Sequence, residues 1–192
     1  MYNSKGLGFV LYIGDDLMRR YCQAQYTQPF PTVAEDTAYG GCAVQPKNEL
    51  SGRIAARFDA ALWQYRPHIA VIEVGFSDLQ RDLTPDYAAL ATMVADAQAK
   101  GVLVVLVALP PASSFDVTDW NRRVRALAVA TGATLADWYA GITNPSAQPS
   151  VVEYDSNLIG QPLIEGDYPT PDGFEVIWDV LCQNLAALGD MG

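Results

Sequence analysis

The sequence predicts an α/β protein: a three-layer α/β/α sandwich on a central parallel sheet of about five strands. Three observations carry this. Short, β-rich apolar runs alternate with longer segments whose apolar residues recur at helical spacing, as in βαβ units. Val10-Leu11-Tyr12-Ile13 and the run from Val102 to Leu109 are apolar throughout, like strands buried on both faces. Several runs end in Gly- or Pro-bearing turns with carboxylates nearby, the edge where open α/β sheets carry their sites.

The first strand is expected over residues 8–13, stopping at Gly14, with Asp15 and Asp16 in the turn. A weaker second strand is expected near 32–39. Residues 49–65 place Leu50, Ile54, Phe58, Ala61, Leu62 and Tyr65 at helical spacing, and "HIAVIEVG" (68–75) follows as a strand. The next helix spans 84–101, with Thr84 as N-cap, Pro85 at the first helical position and Gly101 as stop. A strand over 102–111 precedes a helix over 116–132 capped by Thr118 or Asp119, then a short strand over 134–139. Residues 140–167 read as loop, and a last helix runs from about 171 to 188. With no repeat, low-complexity segment or linker, residues 1–192 form one domain.

The composition narrows the function classes. A formal net charge of −10 predicts repulsion from nucleic acid and from anionic membranes, which leaves a small molecule as the expected partner. The three cysteines, Cys22, Cys42 and Cys182, are odd in number and lack paired spacing, so neither a disulfide framework nor a zinc site is expected. The short apolar run near the start is interrupted by Asp15 and Asp16, unlike a signal peptide or membrane anchor, so a cytoplasmic protein is expected. Oligomeric state is not readable.

Four blocks in register, "YIGDDL", "AYGGCA", "VIEVGFSDL" and "LIEGDYPTPDGFEVI", resemble those of the SGNH or GDSL hydrolases, a superfamily of esterases, lipases and carbohydrate deacetylases. The resemblance covers nearly the whole chain and implies the SGNH-hydrolase form of the flavodoxin-like sandwich. The usual Gly-Asp-Ser-Leu block places the family's nucleophilic serine on Asp16. The glycine that donates to the oxyanion is kept as Gly40. The oxyanion asparagine falls on Ser77, the triad aspartate on Glu165 and the histidine base on Tyr168. The only histidine, His68, opens the third strand. Seven residues at ~3.3 Å each put it roughly 20 Å from the working edge, so no Ser-His triad is expected.

All four replaced positions remain polar, which favours altered chemistry over simple loss. Asp16 and Glu165 could divide acid and base work, as paired carboxylates do in glycoside cleavage. Asp16 could instead attack carbon while Tyr168 supports a leaving oxygen, which suits epoxide opening or cyclisation. The competing reading is a pseudoenzyme that binds a small acyl or carbohydrate ligand in the same cleft. At single residues the alternatives stay open. Asp15 is expected to hydrogen-bond the turn or help bind ligand alongside Gly40 and Ser77. Asp16 either caps the following helix or is catalytic. Glu165 could pair with Arg19 or Arg20, and Asp78 should serve its loop. A metal site from Asp15, Asp16, Glu165 and Asp167 matches no loop motif, so no metal or cofactor is expected.

Overall fold

The structure, a computed structural model, describes residues 9–24, 39–42, 48–143, 164–165 and 167–189. Five strands make one parallel sheet in the order β2-β1-β3-β4-β5: β1 (Phe9–Ile13), β2 (Tyr39–Cys42), β3 (Ile69–Ile72), β4 (Leu103–Ala108) and β5 (Thr134–Asp137). The three inner strands read as apolar runs because both faces are covered: β3 is buried throughout, and β1 and β4 from their second residue onward.

The connecting helices divide into two layers. On one side α2 (Ser51–Tyr65) packs on α4 (Tyr87–Ala99), and α4 on α5 (Thr118–Thr131). On the other, α6 (Trp138–Thr143) packs on α7 (Pro171–Gly189), and Tyr21 of α1 (Asp16–Ala24) lies 5.6 Å from Trp138 between ring centroids. The three-layer sandwich is therefore as the sequence predicts.

Several local expectations shift. The second strand pairs at Tyr39–Cys42, while residues 32–38 lie outside the described residues. The helix after β3 starts at Tyr87, and Asp86 caps it by accepting the Ala89 N–H at 2.9 Å, so Thr84 and Pro85 precede the helix. Neither Thr118 nor Asp119 caps α5. Asp116 instead accepts the Thr118 N–H at 2.8 Å from outside the helix. The strand expected over 134–139 ends at Asp137, because Trp138 already opens α6, which runs on into the stretch read as loop. That stretch also holds β6 (Ile164–Glu165), which pairs antiparallel with β7 (Tyr168–Pro169) just beyond it. One helical turn, α3 (Phe76–Leu79), follows β3. Cys22 is disulfide-bonded and Cys182 is free, against the expectation from cysteine spacing. Spacing along a chain does not report which positions crossover connections bring together. No helix among the described residues is long and apolar enough to cross a membrane.

The sheet order sets the position of the site. From β1 the chain passes outward to β2, then returns across β1 to begin β3. The turns after β1 and β3 thus diverge at the topological switch point, where open α/β sheets leave a crevice.

Candidate functional site

The β1 turn starts at Gly14, which the packing requires to be glycine. A Cβ there would collide with the Glu73 carbonyl oxygen and lie 2.7 Å from its Oε2. The next two residues have different fates. Asp15 turns inward and is fully buried. Its Oδ1 accepts the Leu17 N–H at 3.1 Å, satisfying an open donor of α1, and its Oδ2 accepts the Ser77 N–H at 2.8 Å. Glu73, directly after β3 and also fully buried, accepts the Asp15 N–H at 3.2 Å and the Met18 N–H at 3.0 Å through Oε2. The two carboxyls are buried beside each other, and that burial favours a proton on the pair. Burial pushes Asp15 up to about 7 despite the N–H groups that favour its charged form. Burial, with the neighbouring Asp15, pushes Glu73 well above the usual carboxylate range.

Asp16 opens α1, and its side chain, 1% exposed, folds along its own helix. Oδ1 receives Arg19, with the guanidinium at 2.7–2.8 Å, and Oδ2 receives Arg20 Nε at 3.2 Å and the Tyr168 hydroxyl at 3.0 Å. Burial would raise the Asp16 pKa, but the hydrogen bonds from Arg19, Tyr168 and Arg20 bring it below the usual value. The backbone N–H of Asp16 points to Ser77 Oγ at 3.4 Å. Ser77 itself is fully buried in α3.

Tyr168 reaches this point from β7. Gln80 Nε2 donates to its hydroxyl at 3.2 Å, the Arg20 guanidinium lies 3.6 Å over its ring, and Phe76 packs against it with centroids 5.0 Å apart. Burial and the neighbouring Asp16 raise its pKa, so at neutral pH it is a phenol donating to a carboxylate. The hairpin is latched by Asp167, whose carboxylate accepts the Ser114 N–H at 2.9 Å and the Ser114 hydroxyl at 2.8 Å.

The structure thus brings Asp15, Asp16, Ser77 and Tyr168 together. Gly40 lies inside β2, in register with Val10, so it stands roughly 15 Å along the strands from the Asp15 turn. The Glu165 backbone pairs with Tyr168 in the hairpin, and its side chain lies outside the described residues. Arg19 and Arg20 both pair with Asp16. Asp78 serves the fold, holding the start of α2 through the Ser51 N–H (2.9 Å) and hydroxyl (3.1 Å). His68 sits at the opposite end of the sheet, with Nδ1 3.3 Å from the Phe9 N–H.

Sequence reasoning missed Glu73, Gln80 and the arginine pairing of Asp16. Glu73 had a signal: it is the one acid in the apolar run "HIAVIEVG", and a charge there must find partners or a proton.

Beside Gln80 and the Asp167 latch lies an open cavity of about 530 Å³ reaching Ser114, Phe115, Trp120 and Arg123. It is walled by the segments that follow β3 and β4.

No protein-family model and no curated protein sequence matches the chain. Solved structures do. A GDSL-like lipase from Bacteroides thetaiotaomicron superposes with a TM-score of 0.68 at 17% identity, covering 94% of this chain and 88% of that one. The esterase EstA from a Pseudoalteromonas species gives 0.61 at 18% identity, over 94% and 97%. An acetyl xylan esterase from Geobacillus stearothermophilus gives 0.64 at 13%, over 92% and 94%. These likenesses span whole domains, so the chain has the SGNH/GDSL-hydrolase fold.

Proposed function

We propose that this protein uses the SGNH/GDSL fold to bind a small polar molecule without acyl-transfer chemistry. The observation that carries this reading is the state of Asp16. Its side chain is almost fully buried and both its oxygens are engaged by Arg19, Arg20 and Tyr168. A carboxylate so neutralised, with its pKa lowered, is a poor base, and its lone pairs are not presented to a substrate. Ser77 Oγ is buried beside it, and the phenol of Tyr168 supplies no general base at neutral pH. The cavity beside Gln80 is within the size range of small-ligand sites and offers polar groups on the Gln80, Ser114 and Arg123 side.

The test has two arms. Hydrolysis of p-nitrophenyl acetate should stay at the level of an Asp16→Asn variant. Ligands found by thermal shift should still bind Asp16→Asn and Tyr168→Phe, and should be lost when Ser114→Trp fills the cavity. An Asp16-dependent excess of hydrolysis would sink the reading.

A second reading, an enzyme working through carboxylate and phenol, is favoured by the 3.0 Å bond between the Tyr168 hydroxyl and Asp16 Oδ2. There Tyr168 would donate a proton to a leaving oxygen while Asp16, with Glu165, supplies negative charge for glycoside or epoxide opening. That reading expects turnover on the true substrate to collapse in both Asp16→Asn and Tyr168→Phe, with binding retained.

A further inference from the structure

A second concavity of about 370 Å³ lies at the other edge of the sheet, where β3 and β4 begin. Leu62, Trp63 and Arg66 close it from the end of α2, His68 from the start of β3, and Lys100 and Val102 from the turn into β4. Its base is apolar, with Leu62 and Val102 buried, and Trp63 stands at its rim with 65% of its surface exposed. An indole this open is costly to leave in water and makes a flat platform for another ring.

The charge around it runs against the rest of the molecule. The chain carries a net −10, yet the lining holds Arg66 and Lys100 and no carboxylate. Lys100 leans on Asp59 at 2.8 Å, an exposed contact that water screens. Arg66 makes no ion pair among the described residues. It also occupies the left-handed residue that ends α2 (φ 45°, ψ 55°), with its N–H bonded to the Leu62 carbonyl. Glycine takes that conformation freely, whereas a side chain strains the backbone there. An arginine kept there places a free guanidinium beside an exposed indole.

We propose that this cleft binds a small planar organic anion, an aromatic carboxylate, with its ring against Trp63 and its carboxylate on Arg66 and Lys100. Guanidinium matches a carboxylate in two-point geometry, and a nearby ammonium adds charge. The site is separate from the Asp16–Tyr168 edge, so its occupancy depends on neither reading of that edge.

The probe is 2-naphthoate, with neutral 2-naphthylmethanol as control, followed by ¹H–¹⁵N NMR and calorimetry on the full chain. Naphthoate should shift the Trp63 indole N–H and the amides of 62–66, 68 and 100–103. The neutral analogue should bind at least fivefold more weakly, and added salt should weaken naphthoate. Arg66→Glu and Trp63→Ala should each raise Kd at least tenfold. Arg66→Gly, which relieves the backbone, should fold at least as well as the parent and still lose affinity. The proposal is overturned if millimolar naphthoate leaves these resonances unmoved, if the shifts map to the Asp16–Tyr168 edge, or if Arg66→Gly binds like the parent.

Discussion

Asp15 and Glu73, both without solvent exposure, meet across the turns that follow β1 and β3, where Glu73 Oε2 accepts the Asp15 N–H at 3.2 Å. Neighbouring strands aim the two side chains at one dry spot, and two full charges there would be expensive. One proton removes most of that expense. The remaining lone pairs accept the Asp15, Leu17, Met18 and Ser77 N–H groups, so the pair ties the start of α1 to α3.

The pair predicts a pH dependence of stability. Unfolded, both groups titrate near about 4. Folded, burial raises both, Asp15 to about 7. Between those values the folded chain binds more protons than the unfolded chain. Stability from this pair is therefore complete below about 4 and is lost as pH rises through about 7. Asp78, also raised by burial, acts in the same direction, while Asp16 and Asp167 act oppositely and only in acid. Denaturant melts at pH 5 and 8 should show the loss. Glu73→Gln, whose amide oxygen can still accept the two N–H groups, removes one of the two raised groups and should flatten the change. An unchanged slope in Glu73→Gln would contradict the upward shift of Glu73.

Asp16 is predicted to be a structural anion. Asp16→Ala removes the carboxylate that Arg19, Arg20 and the Tyr168 hydroxyl share in a partly buried setting, at a cost of about 1–3 kcal/mol. Asp16→Asn, which keeps an acceptor, should cost less. Urea midpoints would rank the two. If Asp16→Ala were as stable as the parent, the network would carry no weight in the fold.

Much of the architecture could be read because β1, β3 and β4 are covered on both faces and show it as unbroken apolar runs. β2 hid because Gly40 and Gly41 have no strand-forming side chains. That strand exists through its ladder to β1, a property of the partner and not of the segment. The start of α4 was misplaced for a related reason. Thr84-Pro85 has local capping chemistry, but Asp86 is anchored by Ser51 Oγ across 35 residues and caps the helix instead. At the site, the positions of Asp16, Ser77 and Tyr168 followed from block order. What Asp16 does with its charge depended on rotamers of Arg19 and Arg20, and the partner of Asp15 lay 58 residues away.

Gly75 is predicted to be irreplaceable. It sits at φ +106°, and a Cβ would approach Trp120 Nε1 to 2.7 Å and Cε2 to 2.8 Å. Trp120 cannot retreat without giving up its 2.8 Å hydrogen bond to the Val74 carbonyl. Gly75→Ala therefore combines backbone strain with a clash in the core and should cost about 3 kcal/mol or more. A soluble Gly75→Ala with the parent's melting temperature would show that the β3 turn relaxes freely.

Asn121 is predicted to hold the end of β4, and through it the cavity wall. It is buried on α5, its Oδ1 accepts the Leu109 N–H and its Nδ2 donates to the Leu109 carbonyl, both at 2.8 Å. Leu109 is the first residue past β4, where the backbone has left the sheet ladder and has no strand partner to satisfy it. A side-chain amide meets a donor and an acceptor of one residue together. Asn121→Asp keeps the shape but sets an acceptor against the carbonyl, and Asn121→Leu leaves both groups bare. Each should cost about 2–4 kcal/mol, with Asn121→Asp recovering part of its loss in acid, where protonation restores a donor. Melts at pH 4.5 and 7.5 separate the two variants. Equal losses at both pH values would mean that volume, and not the paired hydrogen bonds, is what Asn121 contributes.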